Sequence, residues 1–593
     1  MRSAAALAAM RIRTPFRKLQ GSMAMNAAAL QTPSQIAPAH LSVIGFAFLL
    51  ACSASSVLPA AAGTPTSCES LASFGHPDTI INSAQSQAGG AYVAPDAWHL
   101  AFTNLPPYCE VQATIAPTPD SSIKVRVWMP TQRHNGRYLG TGNGGYAGGF
   151  FFSELADGIN RGFATANTDM GATGAAGVNA DAMVGHPEKW KDFGWRSTHL
   201  MTVFAKALIN TFYGDPAKRS YFAGCSTGGQ QGLMEAQRFP DDYDGILAGA
   251  PAFNRTHLHT VPVAQYRATH ATPASYIPAT KFDVINQAVL AQCRGKDGGA
   301  PTDSFLTDPR VCKFDPATLA CPAGLDGPNC LNPDQVAAMK VYYAGSTNLA
   351  TGALIHPGNA RGSETSNPAA LGLALNESLT EPSFDSLFKW VFGLTWQWQT
   401  FDFNRHVDMV DEVLAKDLNA TSTDLRTFAG RGGKLVMYAG WADPLIPSQS
   451  SINYYNALVA SFGGTHAASA LKKTQGFARL FMAPGMWHCK EGPGPSSFGG
   501  VIAQPAPSYD AQYDLLTSLT QWVEQGVAPN SVIATKYNND TPQLGIAMQR
   551  PICSYPMIPA YKGTGAPNLA SSFRCVAADA SAPNPTPAPQ YGP

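Results

Sequence analysis

Residues 224–228 read Gly224-Cys225-Ser226-Thr227-Gly228, a G-x-S-x-G pattern between a strand-like run from Arg219 and a helix-like run ending near Pro240. Small residues around a serine permit the strained turn that presents a hydroxyl at the C-terminal edge of a sheet. A helix starting there aims its first amides at the same point, and the Thr227 N–H is placed to stabilise an oxyanion. A chain with 55 glycines meets the five-residue pattern by chance. The strand–turn–helix context is therefore what separates a nucleophile elbow from a turn that merely packs.

A serine nucleophile needs a base, and the base needs an acid to orient it. In hydrolases built on such an elbow these follow the serine in the order acid, then histidine. His488 lies just past the strand-like run 478–484, and Asp443 just past 434–440, so both fall at the sheet edge expected for Ser226. His406, Asp408 and Asp411 fit better as a polar helical face. His257 and His259 fit surface or packing positions, and His466 precedes its strand and falls at the wrong edge. A second oxyanion donor is expected from the glycine run 142–149, from Gly144 or Gly145, where backbone can approach a substrate closely. No P-loop lysine with its serine or threonine follows that run, which excludes a phosphate cradle.

Cys225 directly precedes the candidate nucleophile and Cys489 directly follows the candidate base. If Ser226 and His488 meet, these two thiols come within plausible disulfide range. The alternative is two unrelated buried thiols. Of the 11 cysteines, Cys52 lies in the leader, and sequence-local pairs are available as Cys68–Cys109, Cys293–Cys312, Cys321–Cys330 and Cys553–Cys575. Spacing alone does not fix connectivity, and it does not match a zinc site.

The elements that must position these residues alternate. Strands are expected at 98–117, 122–130, 137–149, 162–171, 219–225, 245–252, 434–440 and 478–489. Helices are expected at 197–214, following the elbow, and at 449–463 and 509–526. This rhythm predicts an α/β class with a mostly parallel sheet under covering helices. It lapses between 253 and 428, where Pro, Gly, four cysteines and Trp/Phe clusters suggest an inserted lid. The organisation expected is a leader at 1–62, a core at 63–252 and 429–576, the lid at 253–428, and a disordered Pro/Ala-rich tail at 577–593.

Forty basic residues balance forty acidic ones across 593, so no global field gathers nucleic acid or anionic membrane. Arg2, Arg11, Arg13, Arg17 and Lys18 precede an apolar run from Val43 to Cys52, too short to span a bilayer and suited to a secretory signal. Ala60-Ala61-Ala62 offers a cleavage site. Translation from Met23 or Met25 would give a more ordinary leader, and 49-LLAC-52 could instead be a lipoprotein box with a lipid anchor on Cys52. Secretion or periplasmic export is expected, with no transmembrane segment.

The runs 223–252, 438-YAGWADPLIP-447 and 485-GMWHC-489 resemble the tannase and feruloyl esterase family, which includes the mono(2-hydroxyethyl) terephthalate hydrolases. The resemblance runs from about Cys68 to Cys575. It implies an α/β-hydrolase core with a large lid, a Ser226–Asp443–His488 triad, a Cys225–Cys489 bridge and the four local pairings. It also implies hydrolysis of esters of aromatic acids such as gallate, ferulate or terephthalate, with no cofactor in the chemistry. Family lids commonly bind calcium in an acidic loop between two cysteines. Here Asp297 and Asp303 fall at ligand positions of 293–312, but Arg294 replaces an acidic ligand. Two outcomes are open: a structural calcium, or a guanidinium that neutralises the carboxylates without metal.

Trp396, Trp398 and Phe401 could cover an aromatic acyl group or could be lid core, and Arg405 could meet a substrate carboxylate. Ile446 is aliphatic where terephthalate-type enzymes offer an aromatic, which favours a phenolic-acid ester. The expected function is secreted hydrolysis of aromatic-acid esters through an acyl-enzyme. The alternatives are a terephthalate half-ester hydrolase, an acyltransferase on the same triad, or a non-catalytic binding protein with a hydrolase shell.

Overall fold

Near-continuous apolar runs are what parallel strands need when helices cover both faces, and Arg219–Cys225, Gly245–Gly249 and Lys434–Gly440 are buried almost throughout. The computed structural model describes residues 65–95, 100–365, 381–463, 467–500 and 505–578. The expected leader with Cys52 and its alternative starts, His466, and the tail from 579 onward lie outside these residues.

The sheet has nine strands: β1 (Thr79–Gln87), β2 (Tyr108–Ile115), β3 (Ile123–Pro130), β4 (Arg137–Thr141), β5 (Ala164–Thr168), β6 (Arg219–Cys225), β7 (Gly245–Gly249), β8 (Lys434–Gly440) and β9 (Ala478–Ala483). Their order is β1-β2-β3-β5-β4-β6-β7-β8-β9. The pairs from β1 to β5 along this order are antiparallel, and those from β5 onward are parallel. With helices on both faces this is the α/β-hydrolase type of architecture. The polar, half-exposed β1 was not foreseen, and the run expected as one strand at 98–117 contains two, Ala101–Leu105 and β2.

Helix α1 (Phe152–Asn160) packs on Tyr108 and Trp128. Helices α2 (Ser197–Tyr213), α3 (Thr227–Arg238) and α4 (Gln449–Gly463) share one apolar cluster with Phe222, Ile246, Leu435 and Met437. Their strand neighbours Tyr221, Leu247, Val436 and Tyr438 face the other way, against α5 (Leu515–Gln525). Helix α5 starts later than the periodicity predicts. Asp514 caps it by accepting the Thr517 N–H at 2.7 Å and takes both Nη atoms of Arg161 at 2.9 Å. Residues before such a cap are fixed outside the helix.

Between β7 and β8 the chain leaves the sheet and forms helices including Thr260–Thr269, Thr280–Cys293 and Pro333–Ala344. Part of this insertion has its own core, around Ile285, Val289, Phe314 and Tyr342. Another part packs Leu387, Phe388 and Trp390 on Tyr146 and Phe193 of the hydrolase core. Two hairpins, Ser531–Tyr537 with Ile546–Cys553 and Met557–Tyr561 with Phe573–Ala577, follow α5 and were not foreseen.

Candidate active site

Ser226 sits between β6 and α3 with φ 65° and ψ −118°, a left-handed conformation that a non-glycine residue adopts at a cost. The tight turn depends on glycine beside it. A Cβ on Gly142 would stand 2.5 Å from the Gly228 Cα, and one on Gly224 would stand 2.6 Å from it. The Ser226 N–H donates to the Gly249 carbonyl at 2.9 Å, and its own carbonyl accepts the Ala252 N–H at 3.0 Å. The serine is thereby tied to the end of β7.

His488 follows β9. Its Nδ1 lies 2.7 Å from Oδ2 of Asp443, which is fully buried in the loop after β8. A carboxylate only accepts, so Nδ1 carries the proton and Nε2 is left as the acceptor. The other Asp443 oxygen accepts the Leu445 and Ile446 N–H groups, each at 2.9 Å. Asn359, from the insertion, donates to the Pro444 carbonyl at 2.7 Å and steadies that loop. Cys225 and Cys489 form a disulfide with Cα atoms 6.0 Å apart, and the other four pairs join as Cys68–Cys109, Cys293–Cys312, Cys321–Cys330 and Cys553–Cys575.

The glycine run meets the elbow directly. The Thr227 hydroxyl donates to the Gly145 carbonyl at 2.6 Å. Gly145 has φ +57°, and a Cβ there would stand 2.2 Å from the Gly177 carbonyl oxygen, so the position requires glycine. Gly144 packs against the Phe151 ring. Thr227 is the first residue of α3, where helix geometry leaves an amide without an intrahelical acceptor.

A cavity lies over these groups. Ser226, Thr227 and His488 line it beside Leu258, Val261, Phe384 and Ile446. Of the residues expected to touch substrate, Ile446 is on this wall and the others are elsewhere. Trp396 and Phe401 pack with Phe388 inside the insertion, Trp398 meets the Tyr266 ring edge-on at 5.0 Å, and Arg405 is exposed. Local aromatic clustering announced a core, which in sequence looks like an aromatic binding wall. His257 is a packing residue, bonded to Asp411 at 2.8 Å, whereas His259 lines the cavity.

The sequence reading missed Arg255, which also lines the cavity and is 1 % exposed. Its Nη2 donates to the Thr227 hydroxyl, and its Cζ lies 4.7 Å from the Phe193 ring centroid. Burial lowers its proton affinity, to a pKa of about 10. Burial, then the Arg255 charge, pushes His259 well below the usual imidazole range, so it is neutral. The available signal was positional: Arg255 begins a helical turn just past β7, at the edge that carries Ser226, Asp443 and His488.

The Cys293–Cys312 loop does not fit a calcium ion. Asp303 is engaged by Arg550, with Nη2 2.6 Å from Oδ1 and Nη1 3.0 Å from Oδ2. Asp297 accepts the Gly295 and Gly299 N–H groups on one oxygen and the Thr307 N–H on the other. Calcium needs several free oxygens. The neutralising guanidinium comes from Arg550 in the hairpin strand Ile546–Cys553; Arg294 donates instead to the Asp303 backbone carbonyl at 3.2 Å. Among the described residues, His199, Glu235 and Asp242 bring ligand-type atoms within 4.8 Å of one another. Asp242 is spent on His199 at 2.7 Å. Burial, reinforced by Asp242, raises Glu235 well above the usual carboxyl range and keeps it neutral.

The model of the family described as "Tannase and feruloyl esterase" matches residues 109–576. An uncharacterized esterase of Xanthomonas campestris pv. campestris is 35% identical over 538 residues, covering 87% of this chain and 92% of that protein. The protein named "probable feruloyl esterase B-2" of Aspergillus flavus is 32% identical over 456 residues, covering 75% and 83%. The crystal structure of feruloyl esterase B from Aspergillus oryzae superposes with a TM-score of 0.77 at 28% identity, covering 86% of this chain and 99% of that one. A tannin acyl hydrolase from Aspergillus niger shares the fold, with a TM-score of 0.68 at 22% identity and coverage of 87% and 93%.

Proposed function

Because this chain belongs to the tannase and feruloyl esterase family and is a carboxylic ester hydrolase of that type, we propose that it cleaves esters of aromatic acids through an acyl-enzyme on Ser226. The observation that carries the proposal is the Asp443–His488 pair, whose histidine lines the same cavity as a serine held in an elbow.

His488 Nε2 accepts the Ser226 proton as Oγ attacks the ester carbonyl, and Asp443 stabilises the imidazolium that forms. The Thr227 amide and an amide of Gly144 or Gly145 hold the developing oxyanion. The imidazolium then gives its proton to the leaving alkoxide, and the alcohol departs. Water, deprotonated by His488, attacks the acyl-enzyme and releases the acid. Nucleophile, base and oxyanion donors all come from the chain, so the chemistry needs no cofactor. The Asp297–Asp303 loop works without metal, its charge met by Arg550.

The insertion at 253–428 serves as the lid, since Leu258, Val261 and Phe384 supply apolar walls suited to an aromatic ring. Aliphatic Ile446 beside them favours phenolic-acid esters such as ferulate or gallate. Five disulfides and the basic, then apolar, leader support export to an oxidising compartment. No described helix is long and apolar enough to cross a membrane.

The test is hydrolysis of alkyl ferulates, gallates, hydroxybenzoates and benzene-dicarboxylate half-esters, with simple acetates as controls. Turnover of aromatic-acid esters above the acetates is expected. Turnover of acetates alone would contradict the aromatic reading.

A further inference from the structure

Glycine lets the loop 142–149 approach the elbow, but it also leaves each peptide plane free to turn. The amides of Gly144, Gly145 and Thr227 have no acceptor among the described residues, as donors for an oxyanion require. Such donors stabilise an oxyanion only when they are held in place before the charge develops. Asn143 is tied to α3: its N–H donates to the Gln231 side chain at 2.9 Å, and its carbonyl accepts the Gly228 N–H at 2.7 Å. Past Asn143, the loop meets α3 through one hydrogen bond among the described residues, from the Thr227 hydroxyl to the Gly145 carbonyl at 2.6 Å. The other side of that peptide is fixed by the Tyr146 N–H, which donates to the Gly177 carbonyl at 2.9 Å.

Arg255 donates to the same Thr227 hydroxyl through Nη2. This hydroxyl is its one hydrogen-bond partner among the described residues, and its Nε has no acceptor. Arg550, equally buried, has the Asp303 carboxylate, and the less buried Arg161, Arg196 and Arg310 have carboxylates too. Arg255 has none among the described residues, and its other favourable neighbour is the Phe193 ring, 4.7 Å from Cζ. Burying a cation without an anion costs stability. With a pKa of about 10, Arg255 still carries its charge at neutral pH. A hydroxyl that accepts an ionic N–H donates more strongly in turn. The charge therefore stands where it tightens the bond from Thr227 to Gly145.

We propose that Arg255 is a positioning residue of the oxyanion hole: through the Thr227 hydroxyl it locks the Gly144–Gly145 loop against the start of α3. The amides of both segments are then aligned before the ester binds. That role rests on the reading of this cavity as the catalytic site.

The test begins with Arg255→Met, which keeps the reach of the side chain and removes its charge. On an aromatic-acid methyl ester, kcat is expected to fall about tenfold or more with KM little changed; losing an oxyanion donor outright costs about 10²–10³. An arylboronic acid, which forms a tetrahedral adduct on the serine, should lose affinity by the same factor, while the product acid binds as before. Melting temperature should hold or rise, because a buried unpaired cation is gone. A wild-type kcat in Arg255→Met would overturn the proposal. So would an equal loss of affinity for the boronic acid and the product acid, which would mark a distorted cavity.

The Thr227 variants test the same link without any change at Arg255. Thr227→Val should lose kcat as Arg255→Met does, and Thr227→Ser, which keeps the hydroxyl, should retain most of it. A wild-type kcat in Thr227→Val would overturn the proposal. In the Thr227→Val background, Arg255→Met should cost nothing further, and losses that multiply would show that Arg255 does not act through the hydroxyl. Unchanged turnover in Ser226→Ala would instead contradict the catalytic reading itself.

Discussion

Cys225 and Cys489 are 264 residues apart in sequence yet joined by a disulfide, and each adjoins a residue of the cavity, Ser226 on one side and His488 on the other. The bond fixes the end of β6 to the loop that follows β9. Replacing both cysteines by alanine should lower kcat by at least about tenfold with the fold retained, because sub-ångström misplacement of reacting groups is expensive. Steady-state kinetics beside circular dichroism checks this. An active, unperturbed double variant would show that the bond does not position the pair.

Asp443→Asn keeps the shape of the acid but can no longer hold the Nδ1 proton of His488 as a carboxylate does. The kcat should fall by roughly 10⁴-fold, the scale seen for this change in serine triads. A loss below tenfold would contradict the orienting role.

Arg550 supplies the charge that the Asp303 carboxylate needs. Melting temperature should be unchanged by EDTA or millimolar calcium in the wild type. Arg550→Leu should destabilise by about 3–5 kcal/mol, as removing one partner of a buried pair does. A wild-type melting temperature that drops in EDTA would show that metal still binds.

Glu235 lies on α3 and is fully buried near Asp242 and Lys206. Its pKa is raised well above the usual 4.5. Above that pH the unfolded chain has lost this proton while the folded chain keeps it, so stability falls as pH rises until the folded group also ionises. Glu235→Gln should therefore stabilise the protein relative to wild type more at pH 8 than at pH 5. Thermal melts at the two values check the sign, and a variant less stable at pH 8 than at pH 5, relative to wild type, would contradict it.

The central parallel strands were legible because burial on both faces forces unbroken apolar runs, as in 245–249 and 434–440. Residues at their C-terminal ends were legible for the same reason, which is how Asp443 and His488 could be placed beside Ser226. Polar β1 lacked that signal, since an edge strand half exposed to water carries no apolar run. The cavity wall was harder to read. Trp396, Trp398 and Phe401 announce themselves by composition, whereas Phe384, Leu258 and Val261 are ordinary apolar residues until the insertion folds over the sheet. Arg550 reaches Asp303 across 247 residues, a separation that no local pattern predicts.

The most direct measurement is steady-state hydrolysis of an aromatic-acid ester by folded Ser226→Ala. A loss of roughly 10⁶-fold in kcat, with an unchanged melting profile, is the expected result for removing a triad nucleophile. Turnover at the wild-type rate would place the chemistry on another residue.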